Sequence, residues 1–158
     1  MSTITMVDTT TGATDGQPRP PMPGSLPLWL TRVLSNSMAP ALRDGQLVLT
    51  LRPRRRHRFR RGALVAVDSS EVGRRIVKRI VGLPGEQVLM EGGRISVDGT
   101  ILVEPYASAS VYHGTFDVPD DHYLLLGDNR DASYDSRSWH NPYVRRDEIA
   151  GILIRKRS

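Results

Sequence analysis

One lysine stands out because this chain uses arginine for almost all of its positive charge. The 22 basic residues are 20 arginines and two lysines, Lys78 and Lys156. Lys78 lies in the apolar run RRIVKRIV, where alternation along a strand puts it on the face of Ile76 and Ile80. Burial there would lower the pKa of the amine, and a neutral amine, unlike a guanidinium, can take a proton from a hydroxyl. A lysine at a sheet edge that extends its ammonium group to water fits the same pattern.

A serine that such a lysine could activate lies in the segment SNSMAP, which begins at Ser35. Pro40 disfavours helix at the residue before it, so the sequence predicts a turn around Ser37. A serine hydroxyl becomes a nucleophile when a neighbouring base accepts its proton. On its own, however, Ser37 is equally well explained as an ordinary turn or capping residue.

A third segment, Gly127 to Arg137, follows an apolar strand and is rich in polar and charged side chains. This composition predicts a rigid, hydrogen-bonded loop, and such loops at strand ends commonly build sites. The chain has no cysteine and no Gly-x-Ser-x-Gly elbow, and its four histidines have no metal-binding spacing. A Ser-His-Asp triad is not excluded by residue counts alone. We expect no metal and no organic cofactor.

Together the three segments resemble the type I signal peptidases of peptidase family S26, from about Ser35 to the C-terminus. Residues 35–40 are similar to the nucleophile motif Ser-x-Ser-Met-x-Pro of that family. Residues 77–86 (VKRIVGLPGE) are similar to its lysine motif, and residues 127–137 to its third motif. All three occur in the order found in the family.

The resemblance implies a role for each matched residue. Ser37 would attack the scissile carbonyl, and Lys78 would serve as general base. The Ser37 N–H and the Ser35 hydroxyl would form the oxyanion hole, and Ser133 would hydrogen-bond and orient Lys78. Structural support of the site would come from Asp128, Asp135 and Arg137.

The resemblance also implies a partner and a location. The substrate would be a preprotein or leader peptide, bound as an extended strand and cut after small residues. The family is membrane-associated, with its site on the extracytoplasmic face. The best apolar stretch here, Leu26 to Leu34, is less than half of the roughly 20 residues that a spanning helix needs. We therefore predict no transmembrane helix in this chain, and a soluble cytoplasmic form fits as well.

The elements that must position these residues are mostly short strands separated by turn signals. Strands are predicted at 46–51, 63–67, 74–81, 94–97, 101–103, 122–126 and 149–154, with a type I′ hairpin at Asp98-Gly99. A weak helical pattern is confined to Leu26–Leu34. The prediction is a mostly β fold with little helix, and the resemblance makes it a signal-peptidase-like set of short-stranded antiparallel sheets. Residues 1–24 are predicted to be a disordered leader and residues 25–158 a single catalytic domain.

Three other functions compete with this interpretation. A specialised soluble peptidase on the same scaffold could mature one dedicated partner. A self-cleaving repressor would need a helical DNA-binding domain, and residues 1–24 cannot form one. Finally, seven arginines between Arg52 and Arg61, together with a net charge of +5, could bind anionic lipid or nucleic acid, or simply face water. Of these partners we expect an anionic membrane surface and no nucleic acid.

Overall fold

The computed structural model describes residues 6–8 and 27–155. Twelve strands and two single-turn 3-10 helices (Arg130–Ala132 and Arg146–Glu148) lie within these ranges. The strands are β1 (Met6–Asp8), β2 (Leu28–Leu34), β3 (Leu47–Leu51), β4 (Leu64–Ser69), β5 (Arg74–Gly82), β6 (Gln87–Glu91), β7 (Arg94–Val97), β8 (Thr100–Leu102), β9 (Gly114–Asp117), β10 (His122–Leu126), β11 (Tyr143–Arg145) and β12 (Ile149–Ile154). The predicted mostly β fold with little helix is confirmed.

The strands form two antiparallel sheets. The larger has the order β1-β2-β3-β12-β4-β5-β10-β11, and the smaller has the order β8-β7-β6-β9. Strand β3 alternates exposed and buried residues, whereas β4 and β5 are buried over most of their length. A strand buried on both faces needs apolar side chains on both, and residues 64–67 of β4 and 76–82 of β5 supply them with two exceptions in β5, Lys78 and Arg79. Lys78 therefore sits within a stretch, residues 76–82, in which every residue is buried.

Three buried clusters hold the sheets together. One lies on the β4–β5 face that carries Ile76 and Ile80, and a second, which contains Met38 and Val77, lies on the opposite face. The third joins the smaller sheet to the end of β5 and to β10. Because the register pairs Lys78 with Val65, the lysine projects among the side chains of the first cluster.

Most of the predicted strands are confirmed to within one or two residues. The predicted hairpin is confirmed as well, since Asp98 and Gly99 both have positive φ, at 48° and 79°. Strands β6, β9 and β11 were not predicted. Two of these have only three or four residues, and their extended conformation depends on pairing with β6 and β10. Such pairing is not visible in a local pattern.

The weakly helical interpretation of Leu26–Leu34 is wrong for the residues that the structure describes, because Leu28–Leu34 form the extended strand β2. Five of its residues pair with β3, and its β-branched Thr31 and Val33 are fully buried. Pairing along a neighbouring strand outweighs a weak helical period.

The predicted disordered leader falls mainly on residues that the structure does not describe. Its described part, Met6–Asp8, forms the edge strand β1, paired with the end of β2. No helix among residues 6–8 and 27–155 has the length and hydrophobicity needed to cross a bilayer.

Candidate active site

The structure brings Ser37 and Lys78 into direct contact. Ser37 lies in the turn that follows β2, and Lys78 lies in the middle of β5. The Lys78 Nζ donates a hydrogen bond to the Ser37 Oγ at 2.9 Å, and both residues have no solvent-exposed surface. A hydroxyl and an amine in this arrangement are placed for direct proton transfer.

Burial makes Lys78 a usable base. Desolvation lowers the pKa of its amine from 10.5 to about 8. The Asp135 carboxylate opposes this shift, and the Arg137 guanidinium adds to it. The neutral amine is therefore well populated near pH 8, where an exposed lysine would be almost entirely protonated.

The turn that carries Ser37 is fixed from both sides. Met38 and Leu42, on its inner side, are fully buried in the core. On its other side the Asn129 N–H donates to the Ser37 carbonyl at 3.0 Å. Ser35 adopts a φ of 149°, a backbone region that residues other than glycine rarely occupy, and its Oγ accepts the Ser37 N–H at 3.2 Å.

Ser133 is placed at the site but does not make the predicted bond. Its hydroxyl is buried and has no hydrogen-bond partner among the described residues, so the expected bond to Lys78 is absent. The Ser133 side chain packs instead against Gly127. A Cβ on Gly127 would lie 2.1 Å from the Ser133 Oγ and 2.7 Å from the Ser37 carbonyl oxygen. Only glycine allows the end of β10 to approach the Ser37 turn this closely.

Asp135 and Arg137 hold together, from inside, the third loop, which is formed by residues 127–137. The fully buried Asp135 carboxylate accepts the Gly127 N–H at 2.9 Å and is bridged by Arg137 at 2.8 and 2.9 Å. The Arg137 guanidinium also donates to the Arg130 carbonyl at 2.6 Å. These bonds close the loop on itself, as its composition predicted.

Asp128 has a partner that sequence reasoning missed. Arg79, the residue after Lys78, binds both Asp128 oxygens at 2.7 and 2.6 Å, and both residues are buried. Burial raises the pKa of Asp128, and the Arg79 guanidinium opposes that rise. The guanidinium also stacks 3.9 Å from the centre of the Tyr106 ring. The sequence signal available for the Arg79–Asp128 pair was the position of Arg79 directly after Lys78 on β5. Neighbouring residues on a strand face opposite sides, so Arg79 points away from Lys78.

A second missed pair involves the segment between β8 and β9 of the smaller sheet. Arg130 donates to the Gly127 carbonyl at 2.9 Å and to Glu104 at 2.8 Å, and both charged side chains are almost fully buried. Tyr106 donates to the same carboxylate at 3.1 Å, and burial together with the Glu104 charge raises the pKa of its phenol to about 12. No local pattern marked residues 104–106 as neighbours of the loop.

Metal coordination has no candidate residues here. In the described ranges no group of three or more His, Asp or Glu side chains is arranged to hold a metal ion.

Removing one partner of a buried ion pair should destabilise the fold far more than removing one partner of an exposed pair. Asp128→Asn leaves Arg79 buried without its counter-charge and should lower the free energy of unfolding by about 3–5 kcal/mol. The matched change Asp147→Asn breaks the exposed Arg145–Asp147 pair and should cost less than about 1 kcal/mol. Urea unfolding of both variants measures the two losses. Similar losses in the two variants would contradict the bracing assigned to Asp128.

Comparison with known proteins gives a consistent result. A family model described as signal peptidase, peptidase S26, matches residues 27–155. A probable signal peptidase I-2 from Synechocystis sp. is 36% identical over 126 residues, which cover 74% of this chain and 57% of that protein. A signal peptidase I P from Bacillus subtilis subsp. natto is 31% identical over 132 residues, which cover 75% of this chain and 70% of that protein.

A solved structure agrees with these sequence relatives. The crystal structure of a signal peptidase I from Enterococcus faecalis superposes with a TM-score of 0.54 at 29% identity. The match covers 62% of this chain and 98% of that one. The chain therefore belongs to the signal peptidase family, peptidase S26.

Proposed function

We propose that this chain is a serine endopeptidase that removes signal peptides from exported preproteins, with residues 25–158 acting as one catalytic domain. The observation that carries the proposal is the fully buried contact of 2.9 Å between the Ser37 Oγ and the Lys78 Nζ. The relatives named signal peptidases supply the substrate class.

Catalysis begins with the neutral amine of Lys78. As the Ser37 Oγ attacks the carbonyl carbon before the cut, its proton passes to Nζ, and the new ammonium then donates a proton to the leaving amine. The acyl–Ser37 ester that remains is hydrolysed by a water molecule that Nζ deprotonates in turn, and the ammonium passes that proton to the Ser37 Oγ as it leaves. Each half-reaction returns the amine to its starting state, so no cofactor is required.

The oxyanion of each tetrahedral intermediate would be held by the Ser37 N–H and the Ser35 hydroxyl. These two donors lie side by side, since the N–H points at the Ser35 Oγ at 3.2 Å. When substrate is bound, both turn to the developing negative charge, where donors in a water-poor site are most effective. Asp128, Asp135 and Arg137 act as positioning residues, because they hold the loop that contacts Ser37.

The substrate would lie as an extended strand beside the site, with small side chains before the cut. Main-chain hydrogen bonds to an open sheet edge give affinity without demanding a particular sequence. This mode suits an enzyme that must accept the many different leaders of exported proteins.

A membrane surface is the partner that we propose for the outer face of β2, β3 and β12. Six large apolar side chains are exposed there, and they are Leu28, Leu30, Leu47, Leu49, Leu51 and Ile154. The register places Leu28 beside Leu51, and it places Leu49 between Leu30 and Ile154, which makes the surface continuous. A contiguous exposed apolar surface is typical of a membrane or protein contact.

The arginine-rich loop borders this apolar surface. The Arg52 N–H donates to the Pro27 carbonyl at 2.8 Å, which ties the start of the loop to the start of β2. Phe59 anchors the loop in the core, and Arg146 binds two of its carbonyls. Five arginines are exposed on it, namely Arg54, Arg55, Arg56, Arg58 and Arg60. Positive charge next to apolar side chains favours an anionic lipid surface.

Substitution of the catalytic pair tests the proposed reaction. Ser37→Ala and Lys78→Ala should each lower kcat for cleavage of a signal-peptide substrate by at least about 10³-fold. Lys78→Arg should lose activity to the same degree, since arginine cannot accept the proton. The other lysine gives the matched control, and Lys156→Arg should cleave at the wild-type rate. Activity in the Lys78→Arg variant would contradict the mechanism.

Flotation with liposomes tests the membrane proposal. The protein should float with vesicles that contain anionic lipid and should bind neutral vesicles much more weakly. Replacing both Arg55 and Arg56 with Gln should weaken binding by roughly fivefold per arginine, at about 1 kcal/mol each. The same change at Arg94 and Arg145, which are exposed elsewhere, should have a smaller effect. Equal binding to neutral vesicles, or equal losses in the two double variants, would overturn the electrostatic contact.

A further inference from the structure

The short strand β1 lies beside the two strands that position the catalytic pair, β2 and β5. It runs antiparallel to β2, and its register sets Met6 opposite Leu34, the residue just before Ser35. Its Cα atoms also come within 8 Å of Cα atoms in β5, the strand that carries Lys78. The N-terminal segment of the chain therefore passes between the strand that leads to the nucleophile and the strand that carries the base.

The position of β1 coincides with an open edge of the larger sheet. On one side, β5 pairs with β4 from Arg74 to Arg79. On its other side, β10 pairs only with residues 79–82, because β10 ends at Leu126 and the chain turns into the third loop. The first half of β5, up to Lys78, has no strand paired on that side within the described residues. A backbone edge with no strand of the described residues paired to it, ending at the proposed base, is a template for an extended peptide.

We propose that Met6–Asp8 is an internal ligand of this edge, so that the N-terminal segment of the chain competes with the peptide substrate. The inference rests on the proposed function, because it takes the gap between β2 and β5 as the place where substrate binds. It adds a regulation that catalysis itself does not require. The enzyme is partly closed by its own chain and opens when a better peptide displaces β1.

How strongly β1 competes with substrate depends on the length of chain that connects β1 to β2. Three paired residues alone form a marginal strand. However, only residues 9–27 separate β1 from β2, and a short tether gives an effective concentration on the order of mM. A segment with a Kd near that value is bound about half of the time. The apparent affinity for substrate falls by the fraction of molecules in which the edge is free.

A double proline variant tests the proposal in the full-length chain. Met6→Pro with Val7→Pro removes two adjacent N–H groups, which point to opposite sides of a strand, so β1 loses a donor on each edge. The variant should bind a labelled signal-peptide substrate about two- to fivefold more tightly. Its KM should fall by the same factor with kcat unchanged. Thr10→Pro with Thr11→Pro, outside β1, is the matched control and should leave both constants at their wild-type values.

Two results of this comparison would overturn the proposal. One is an unchanged Kd in the Met6→Pro, Val7→Pro variant. The other is a weaker Kd together with a lower Tm, which would make β1 a structural strand of the sheet.

Hydrogen exchange separates this proposal from the catalytic one. In the Ser37→Ala chain, which cannot turn over, the amides of β1 should be protected and should lose protection when the peptide saturates the protein. Protection that persists in the peptide complex would overturn the internal-ligand proposal even if the wild-type chain cleaves the peptide. A chain that cleaves no signal peptide, but releases β1 on binding one, would instead contradict the proposed function alone.

Discussion

The placement of one amine, Lys78, in an apolar strand is the constraint on which the rest of the structure depends. An ammonium ion loses its hydration there, so burial lowers its pKa to about 8 and makes the neutral base accessible. The same burial would be unproductive without the Ser37 hydroxyl 2.9 Å away. The sheet supplies the apolar enclosure, and the turn after β2 supplies the hydroxyl, so neither element is sufficient alone.

The arginines around the site follow from the same requirement. Arg79, Arg130 and Arg137 bind Asp128, Glu104 and Asp135 through buried ion pairs. A guanidinium stays charged over the whole working range of pH, so these pairs can fix the loop geometry without competing for the catalytic proton. Buried ion pairs add little net stability compared with apolar packing. Their contribution here is to set where the loop lies, and the loop in turn contacts the Ser37 turn through Asn129.

How far the sequence predicts this arrangement depends on how local each feature is. The apolar runs of β5 and β10 and the Asp98-Gly99 hairpin are local, and they were predicted with nearly the right bounds. Lys78 could be singled out from composition, because it is a lysine in an apolar run of an arginine-rich chain. Ser37 became a candidate only when three separated motifs were considered together. The close approach at Gly127, the Arg79–Asp128 pair and the placement of Glu104 depend on contacts between distant segments. The same is true of β2, whose pairing with β3 overrode its weak helical pattern.

The Ser133 bond illustrates a limit of a different kind. Ser133 lies so close to Gly127 that a Cβ on Gly127 would be 2.1 Å from the Ser133 Oγ, yet Ser133 does not make the expected hydrogen bond with Lys78. A motif records which residue types meet at a site, and the orientation of a hydroxyl is set by the packing around it. Likewise, nothing in residues 1–24 suggested a strand, because β1 has no pattern of its own and is defined by the edge that it pairs with.

The most direct test of the account is the titration of Lys78 itself. The chain has only two lysines, so lysine labelled with carbon-13 at Cε gives two NMR signals, and Lys156→Arg assigns them. The account predicts that the Lys78 signal titrates with a midpoint of about 8, well below the ordinary lysine value near 10.4. Between pH 8 and 10.5 the folded chain has then lost a proton that the unfolded chain keeps, so stability should rise with pH across this window. A Lys78 signal that titrates near 10.4 would contradict a neutral Lys78 base.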